Sequence, residues 1–309
     1  MSVQCLSLVV GTKACNAKCP FCISQQTGFE QLGHGRERHI NFINLEEACV
    51  MCGTARPPTL LLTGKGEPTL YPNEITQYLE WFKDRSFAPK ELQTNGLALG
   101  RLARDGTSGV KGLDQVTLRY WRSLRLGVIA LSVVSINDKA NATVYHRDYP
   151  PLAETLRYLR SFGFTIRLCV MMMDGWGFVS NAKQLKKVVR FCRDNDVGQL
   201  TARPITKAYT ADCSLQAKYI QARGLPINTS EQLYKDVSQI ATPLFRLDHG
   251  ATVFDWDGQN VCLSNCLTSD FDSAPGDHRS LIVFPNGMVT TRWDHPEAAA
   301  LLQGDQNYG

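Results

Sequence analysis

Short apolar runs alternate with amphipathic segments over the first two thirds of the chain, up to about Ile205. Several of these runs are continuously apolar, which is typical of strands that are buried on both faces of a sheet. The segments between them carry apolar residues at helical spacing, as in 150–163, where Leu152, Leu156 and Leu159 share one face. This alternation predicts an α/β fold in which a mostly parallel sheet forms a partial (β/α)6 barrel with helices outside it. The six predicted strands are 7–12, 59–63, 91–94, 128–134, 165–172 and 199–205.

The pattern changes after Ile205, where the regular alternation of strands and helices stops. Two dipeptides of the kind that close β-hairpins follow, Asp257-Gly258 and Asn286-Gly287, each between two short apolar runs. This part of the chain is therefore predicted to form a small antiparallel β cap. The two predicted domains are a barrel, 1–205, and a C-terminal cap that faces the substrate, 206–309.

Composition and charge narrow the classes of protein to which the chain can belong. Of its 309 residues, 43% are hydrophobic and 20% are charged, which is ordinary for a globular protein. The net charge of +4 is small and the basic residues are spread along the chain, so we expect no nucleic-acid partner. The start lacks the cationic segment of a signal peptide and no apolar run is long enough to span a bilayer, so we expect no membrane association. Eleven cysteines without a secretory signal indicate reduced thiols, a metal or cofactor, and a cytoplasmic location.

Three cysteines stand close together directly after the first predicted strand. Cys15, Cys19 and Cys22 have the spacing C-x3-C-x2-C within one polar loop. Three thiolates can bind three corners of a [4Fe–4S] cluster, and because such a cluster normally takes four cysteines, one iron stays open to another ligand. A structural zinc site would need a fourth ligand, for which His34 and His39 are available, and three unligated core thiols are a further alternative. The spacing favours a cluster with one open iron.

The loop resembles the signature of the radical S-adenosylmethionine (SAM) superfamily, C-x3-C-x-aromatic-C, with Phe21 at the aromatic position. The resemblance extends over the first two thirds of the chain. It implies that Cys15, Cys19 and Cys22 are the metal ligands and that the methionine part of SAM chelates the open iron. Phe21 then belongs to the residues around the cofactor.

A second segment, 63–68, is similar to the GGEP segment of the same superfamily. Lys65 stands where the family has the first of its paired glycines. The resemblance implies that the backbone near Gly66, helped by the carboxylate of Glu67, binds the ammonium group of the methionine moiety.

The next predicted strands carry polar residues that fit the same resemblance. Thr94 and Asn95 begin a segment similar to the family's TNG, and Ser132 lies on a strand similar to the one whose serine approaches the ribose or carboxylate of SAM. Ser132 and Ser135 cannot share a face of a regular strand, and we predict Ser132 as the inward residue. Arg167 is a charge in an apolar strand, so we expect it either to pair with the cofactor carboxylate or a substrate anion, or to reach solvent at the strand end.

The later cysteines leave the role of the cap open. Some members of the superfamily carry a second cluster in a C-terminal extension, and the candidate ligands here are Cys213, Cys262 and Cys266. A complete set would need a fourth ligand, so these thiols are alternatively core residues of the cap, or Cys262 and Cys266 are catalytic hydrogen-atom donors to a substrate radical. The stretch 291–295 is predicted to line the mouth of the barrel or to lie at the surface with Trp293 packed beneath it.

The resemblance implies a type of reaction but leaves the substrate open. Radical SAM enzymes cleave SAM reductively to methionine and a 5′-deoxyadenosyl radical, which here would abstract hydrogen from a small molecule or peptide and lead to epimerisation, dehydrogenation or rearrangement. The electron would come from a donor such as flavodoxin or ferredoxin. The alternatives are an RNA- or nucleotide-modifying radical SAM enzyme and a non-enzymatic iron–sulfur sensor or electron carrier.

Within the superfamily the chain most resembles the branch that contains the molybdenum-cofactor cyclase. That cyclase has C-x2-C and a further cysteine near its end, where this chain has Cys262 and Cys266 in a C-x3-C spacing. The cyclisation reaction and its nucleotide substrate are therefore not carried over to this chain.

Overall fold

One sheet of twelve strands organises the part of the chain that the structure describes. The computed structural model describes residues 2–27, 32, 40–53, 57–207, 214–247, 251–264, 277–293 and 296–305. The strands are β1 (Ser2–Val9), β2 (Thr59–Thr63), β3 (Lys90–Thr94), β4 (Leu126–Val133), β5 (Thr165–Met172), β6 (Gln199–Pro204), β7 (Thr242–Arg246), β8 (Thr252–Trp256), β9 (Gln259–Leu263), β10 (Asp277–Val283), β11 (Val289–Thr290) and β12 (Ala300–Leu302). Their spatial order is β12-β11-β10-β1-β2-β3-β4-β5-β6-β9-β8-β7.

Strands β1 to β6 are neighbours in chain order, and each pair runs parallel. Parallel neighbours need crossover connections, and helices supply them here. The α-helices of the described ranges are α1 (Phe42–Cys52), α2 (Pro72–Trp81), α3 (Leu97–Asp105), α4 (Gln115–Ser123), α5 (Asp138–Val144), α6 (Leu152–Ser161), α7 (Ala182–Asp194), α8 (Leu215–Arg223) and α9 (Thr229–Ser238). The prediction of an α/β fold with a mostly parallel sheet is confirmed.

The two faces of the parallel strands differ in polarity. Successive side chains point to opposite sides of a sheet, and apolar and polar residues alternate along these strands. One face joins the helices in the main apolar core, to which β4 contributes Ile129, Leu131 and Val133. Helix α6 packs Leu152, Leu156 and Leu159 into the same core, as its periodicity predicts. The opposite face of the same strands carries polar and charged side chains, among them Ser7, Thr63, Glu91, Gln93, Ser132, Arg167 and Thr201.

Both predicted hairpins form, but they lie at opposite edges of the sheet. The turn at Asp257-Gly258 joins β8 to β9, and β9 pairs parallel with β6. The turn at Asn286-Gly287 joins β10 to β11, and β10 pairs parallel with β1. The C-terminal region thus differs from the small antiparallel cap expected from the sequence, because each hairpin hydrogen-bonds to a strand edge that β1 or β6 would otherwise leave unpaired.

Candidate active site

The loops that follow β1, β2 and β3 meet at one edge of the sheet, since parallel strands end on the same side. The amide of Glu67, after β2, donates to the carbonyl of Ala14, after β1, at 3.0 Å. The side-chain amide of Asn95, after β3, donates to Asn16 Oδ1 at 2.8 Å. Hydrogen bonds therefore join all three loops that carry the sequence motifs.

Cys15, Cys19 and Cys22 occupy the first of these loops. The amide of Cys22 donates to the carbonyl of Cys19 at 3.2 Å, and the amide of Ala17 donates to the sulfur of Cys15 at 3.4 Å. Although Cys15 is partly exposed, burial of its thiol raises its pKa to about 11, and the charges of Glu67 and Cys22 add to this shift. Burial also raises the pKa of Cys19 well above its usual range, with further contributions from Cys15 and Cys22. A metal that binds Cys15 and Cys19 at neutral pH therefore displaces their protons.

The three cysteines of this loop are the predicted ligands of a [4Fe–4S] cluster, with a zinc ion as the alternative. Within the described ranges, no three His, Cys, Asp or Glu side chains form a group that could hold one metal ion. Thiolates on a cubane bind different irons, so they stand further apart than thiolates that share one zinc ion. The alternative zinc ligands His34 and His39 lie outside the described residues. Both the cluster and the zinc ion stay predictions.

Gly66 lies against the segment that enters the cysteine loop. A β carbon at this position would lie 2.2 Å from the carbonyl oxygen of Ala14 and 2.5 Å from that of Thr12, so only glycine fits. Its neighbour Lys65 is buried, with Nζ 3.0 Å from the hydroxyl of Thr27. The segment similar to GGEP thus packs closely against the cysteine loop.

Glu67 links this segment to the end of β3. It is 2% exposed, and one carboxylate oxygen accepts hydrogen bonds from Thr69 N at 3.0 Å, Thr69 Oγ1 at 2.6 Å and Thr94 Oγ1 at 2.6 Å. The other oxygen accepts from the amide of Asn95 at 2.9 Å. Burial raises the pKa of Glu67, and the hydrogen bonds from Asn95, Thr69 and Thr94 oppose the shift. Three of these donors point at one oxygen and one at the other, so the second oxygen keeps a lone pair for a further donor.

Thr94 and Asn95 take part in the same network. The Thr94 hydroxyl, besides donating to Glu67, accepts from the amide of Gly96 at 3.0 Å. The side-chain amide of Asn95 reaches the sulfur of Cys15 at 3.6 Å. The structure thus brings the predicted residues Glu67, Thr94 and Asn95 together beside the cysteine loop. No sequence pattern indicates their partner Asn16, because an asparagine between two cysteines is an ordinary loop residue.

Phe21 packs on the side of the loop that faces β5. Its ring centroid lies 6.4 Å from that of Tyr219 in α8. Phe21 and Cys19 both pack against a small apolar cluster, whose buried members are Ala17, Leu97, Val134, Val144, Tyr145 and Met173. The aromatic position of the motif therefore anchors the cysteine loop to the body of the protein.

Ser132 lies on the polar face of β4, as its parity with the core residues Leu131 and Val133 requires. It is half-buried and stands next to Cys169 of β5 in the register of the two strands. Ser135 lies beyond the strand end, where its hydroxyl donates to the carbonyl of Gly177. The inward direction predicted for Ser132 agrees with this arrangement, and its contact with SAM stays a prediction.

The side chain of Arg167 is 25% exposed, and its guanidinium forms a salt bridge with Glu91 of β3. Glu91 is almost fully buried, and burial raises its pKa. The positive charges of Arg167 and Arg203 oppose this shift without cancelling it. The partner of Arg167 in this structure is thus a protein carboxylate, which the sequence did not reveal. Two charges of opposite sign at inward positions of nearby strands were the signal that could have found it.

Of the three cysteines proposed for a second cluster, the structure describes one. Cys262 is a buried residue of β9 and lies next to Thr201 of β6 in the strand register. Cys213 and Cys266 lie outside the described residues, so the second cluster and the hydrogen-donor role stay predictions. Trp293, from the stretch 291–295, packs near Phe284, with ring centroids 6.1 Å apart.

A search of the described residues finds no helix with the length and apolarity that crossing a membrane requires.

The fold is similar to those of solved proteins with bound S-adenosylmethionine. No protein-family model matches the chain, and no curated protein matches it in sequence.

Two proteins illustrate the similarity of fold. SuiB from Streptococcus suis, bound to S-adenosylmethionine, has a TM-score of 0.58 at 13% identity, with 99% of this chain and 64% of SuiB covered. SuiB bound to precursor peptide SuiA gives a TM-score of 0.56 at 13% identity, covering 99% of this chain and 63% of SuiB. Native anSMEcpe with bound AdoMet has a TM-score of 0.54 at 13% identity, with 94% of this chain and 74% of anSMEcpe covered. The chain thus spans less than two thirds of the length of SuiB.

Proposed function

We propose that the protein is a radical SAM enzyme in which Cys15, Cys19 and Cys22 hold a [4Fe–4S] cluster. When bound, the cluster and SAM supply reductive cleavage of the sulfonium and a 5′-deoxyadenosyl radical that abstracts hydrogen from the substrate. The observation that carries this proposal is the set of hydrogen bonds that joins the cysteine loop to the segments around Glu67 and Asn95. A loop with three thiols is held directly beside the two segments that resemble SAM-binding motifs.

The residues of the site have distinct tasks in this proposal. Glu67 positions Thr94 and Asn95 through one hydrogen bond from each, and the backbone around Gly66, helped by the Glu67 carboxylate, binds the ammonium group of SAM. Ser132 is the side chain proposed to contact the ribose or carboxylate of the cofactor. Arg167, besides its salt bridge with Glu91, is the side chain proposed to pair with the cofactor carboxylate or a substrate anion. Exclusion of water from the interior of a partial barrel formed by β1 to β6 would limit side reactions of reactive intermediates.

A peptide is the substrate class that we favour, with a small molecule as the second candidate. The support is the similarity of fold to SuiB, which is bound to precursor peptide SuiA. A flavodoxin or ferredoxin would deliver the electron in a reducing, cytoplasmic environment, in agreement with the eleven cysteines. Cys213, Cys262 and Cys266 remain the proposed ligands of a second cluster, or Cys262 and Cys266 the hydrogen-atom donors.

Cofactor cleavage tests the enzymatic proposal. The protein is reconstituted with iron and sulfide without oxygen, reduced with dithionite and supplied with SAM, and 5′-deoxyadenosine is measured. We expect it from the wild type but not from the variant in which Cys15, Cys19 and Cys22 are replaced together by alanine. Cys192→Ala is the matched control, because Cys192 is a buried thiol on the core face of α7, and it should behave as the wild type. A wild type that holds a cluster without forming 5′-deoxyadenosine would support the sensor or electron-carrier alternative instead.

The same triple variant counts the clusters. If a second cluster exists, the variant retains about four irons per chain after reconstitution. Loss of all iron would show that the cysteine loop holds the protein's one cluster and that Cys213, Cys262 and Cys266 have another role.

A further inference from the structure

Tyr145 is a buried residue beside the cysteine loop, and no sequence motif includes it. It directly follows α5, and its side chain is 4% exposed. Its carbonyl accepts a hydrogen bond from the amide of Lys18 at 3.1 Å. Because Lys18 lies between two of the cysteines, the backbone of Tyr145 is tied directly to the loop proposed to hold the cluster.

The side chain of Tyr145 is held in one place by packing. Tyr145 belongs to the apolar cluster that includes Ala17 and Met173, and both Cys19 and Phe21 pack against this cluster. The ring of Tyr149 lies 5.8 Å from its own, at a tilt of 32°. The position of the Tyr145 hydroxyl is therefore set by its surroundings, at the buried side of the cysteine loop.

The Tyr145 hydroxyl has no hydrogen-bond partner among the described residues. A buried polar group without a partner costs about 1–3 kcal/mol, so native proteins rarely leave one without a reason. Burial raises the pKa of Tyr145 well above its usual range, and the nearby charges of Cys19, Tyr149 and Cys169 add to the shift. The hydroxyl is therefore a donor without a partner in the described part of the chain, and the apolar cluster to which Tyr145 belongs also packs against Cys19.

We propose that the Tyr145 hydroxyl donates a hydrogen bond to the sulfur of the Cys19 ligand when the cluster is bound, and that it thereby raises the reduction potential of the cluster. This inference rests on the proposed function, since it needs a cluster on Cys19. A hydrogen bond to a ligating sulfur stabilises the reduced, more negatively charged state more than the oxidised one. Tyr145 would then make the cluster easier to reduce by its electron donor.

The test is a redox titration of the reconstituted protein, followed by electron paramagnetic resonance without SAM. Tyr145→Phe keeps the ring and its packing and removes the hydroxyl. We expect this variant to bind as much iron as the wild type and to lower the equilibrium constant for cluster reduction about tenfold, which is a shift of about 59 mV to more negative potential for one electron. Tyr158→Phe in α6 is the matched control, because Tyr158 packs against the main core instead, and its potential should equal that of the wild type.

A second variant should shift the reduction potential in the opposite direction, which a folding defect would not do. Replacing Tyr145 by 3-fluorotyrosine keeps a hydroxyl that is more acidic and donates a stronger hydrogen bond, so the potential should move to more positive values. Potentials equal to that of the wild type in both variants would overturn the inference. So would an unchanged potential with weakened SAM binding in Tyr145→Phe, because the hydroxyl would then serve the cofactor instead of the cluster.

These outcomes are separate from failure of the proposed function. A wild type that binds no cluster contradicts the proposed function, and the inference fails with it. A wild type that binds a cluster and cleaves SAM, together with a Tyr145→Phe variant of unchanged potential, contradicts only the role of Tyr145.

Discussion

At the scale of single residues, Gly66 holds the cysteine loop in place because it has no side chain. The atoms that an added β carbon would meet, the carbonyl oxygens of Ala14 and Thr12, belong to the backbone that leads into Cys15. Backbone in a packed site cannot move aside as the end of a flexible side chain can. A methyl group at Gly66 must therefore displace the entry to the cysteine loop.

Gly66→Ala should reduce cluster binding severely and destabilise the fold by about 1–3 kcal/mol, the usual cost of overpacking. Iron and sulfide per chain after reconstitution, with urea unfolding of the metal-free protein, measure the two effects. Gly127→Ala is the matched control, because a β carbon on Gly127 of β4 would meet its nearest neighbour at 3.9 Å. Equal iron in the two variants would contradict the role given to Gly66.

Much of the site could be predicted residue by residue, because its motifs lie in short loops directly after strands. Once the strands are taken as parallel, the loops around Cys15, Gly66 and Asn95 must meet at one edge of the sheet. The partners within that edge could not be predicted. The contact of Tyr145 with the loop depends on how α5 packs, which no local pattern reports.

At the scale of elements, the pair of Glu91 in β3 and Arg167 in β5 spans the strand between them. Ala130 of β4 lies beside Arg167 in the strand register, and its small side chain leaves room for the guanidinium to reach across. The sequence marked Arg167 as an unusual charge but not its partner, because the partner depends on the order of three strands. Prediction of the Glu91–Arg167 pair therefore needs the order of the strands in the sheet as well as the sequence pattern.

Arg167→Met should destabilise the protein by about 3–5 kcal/mol, because it leaves Glu91 as a buried charge without its main partner. The pKa of Glu91 is already raised by burial, and loss of Arg167 raises it further. A carboxyl whose pKa is higher in the folded than in the unfolded state stabilises the fold while it is protonated, so the loss of stability should grow as the pH rises above the usual pKa of a glutamate, about 4.3. Urea unfolding at several pH values measures this dependence.

Two further variants test whether the loss of stability in Arg167→Met comes from the unpaired charge of Glu91. Adding Glu91→Gln to Arg167→Met should recover part of the stability and remove most of the pH dependence, because no buried charge remains at this position. Arg160→Met removes an arginine from an exposed pair with Asp196 and should cost at most about 1 kcal/mol. Similar losses for Arg160→Met and Arg167→Met would contradict the special status of the buried pair.

The ends of the strands show where the local sequence pattern is enough to predict a strand and where it is not. Strands β2 and β5 begin and end where the sequence predicts, since each is a short run with clear ends. Strand β1 starts at Ser2 and ends at Val9, whereas the prediction was 7–12. Gly11 leaves the extended conformation with a φ of +78°, and its amide donates to the side chain of Glu74 at 3.2 Å. That bond to a distant helix ends the strand early, and no local pattern indicates it.

At the scale of the whole molecule, the last strands complete the sheet that the first strands begin. Strand β10 covers the free edge of β1, and β9 covers that of β6. Val9 also packs in an apolar cluster with Ile282, Phe284 and Met288. The predicted boundary between 1–205 and 206–309 therefore divides one sheet.

A fragment that ends at residue 205 should not fold as an independent domain, because it exposes two strand edges and part of an apolar cluster. We expect it to aggregate, or to remain monomeric without a cooperative unfolding transition, while the chain of 309 residues unfolds cooperatively under the same conditions. Size-exclusion chromatography and circular dichroism during urea unfolding distinguish the two. A monomeric fragment with a sharp transition would restore the two-domain division.

The pairing of β1 with β10 also means that β1 is synthesised well before one of the two strands beside it. The hydroxyls of Ser7 and Ser280 lie 3.1 Å apart, yet the two residues are 273 positions apart in the chain. At about 5–20 residues per second, the ribosome takes roughly 14–55 s to make the segment between them. During that interval β1 and the cysteine loop after it exist without one of their neighbouring strands. Delivery of iron and sulfur to Cys15, Cys19 and Cys22 should therefore follow the synthesis of β10, and not begin on the nascent chain.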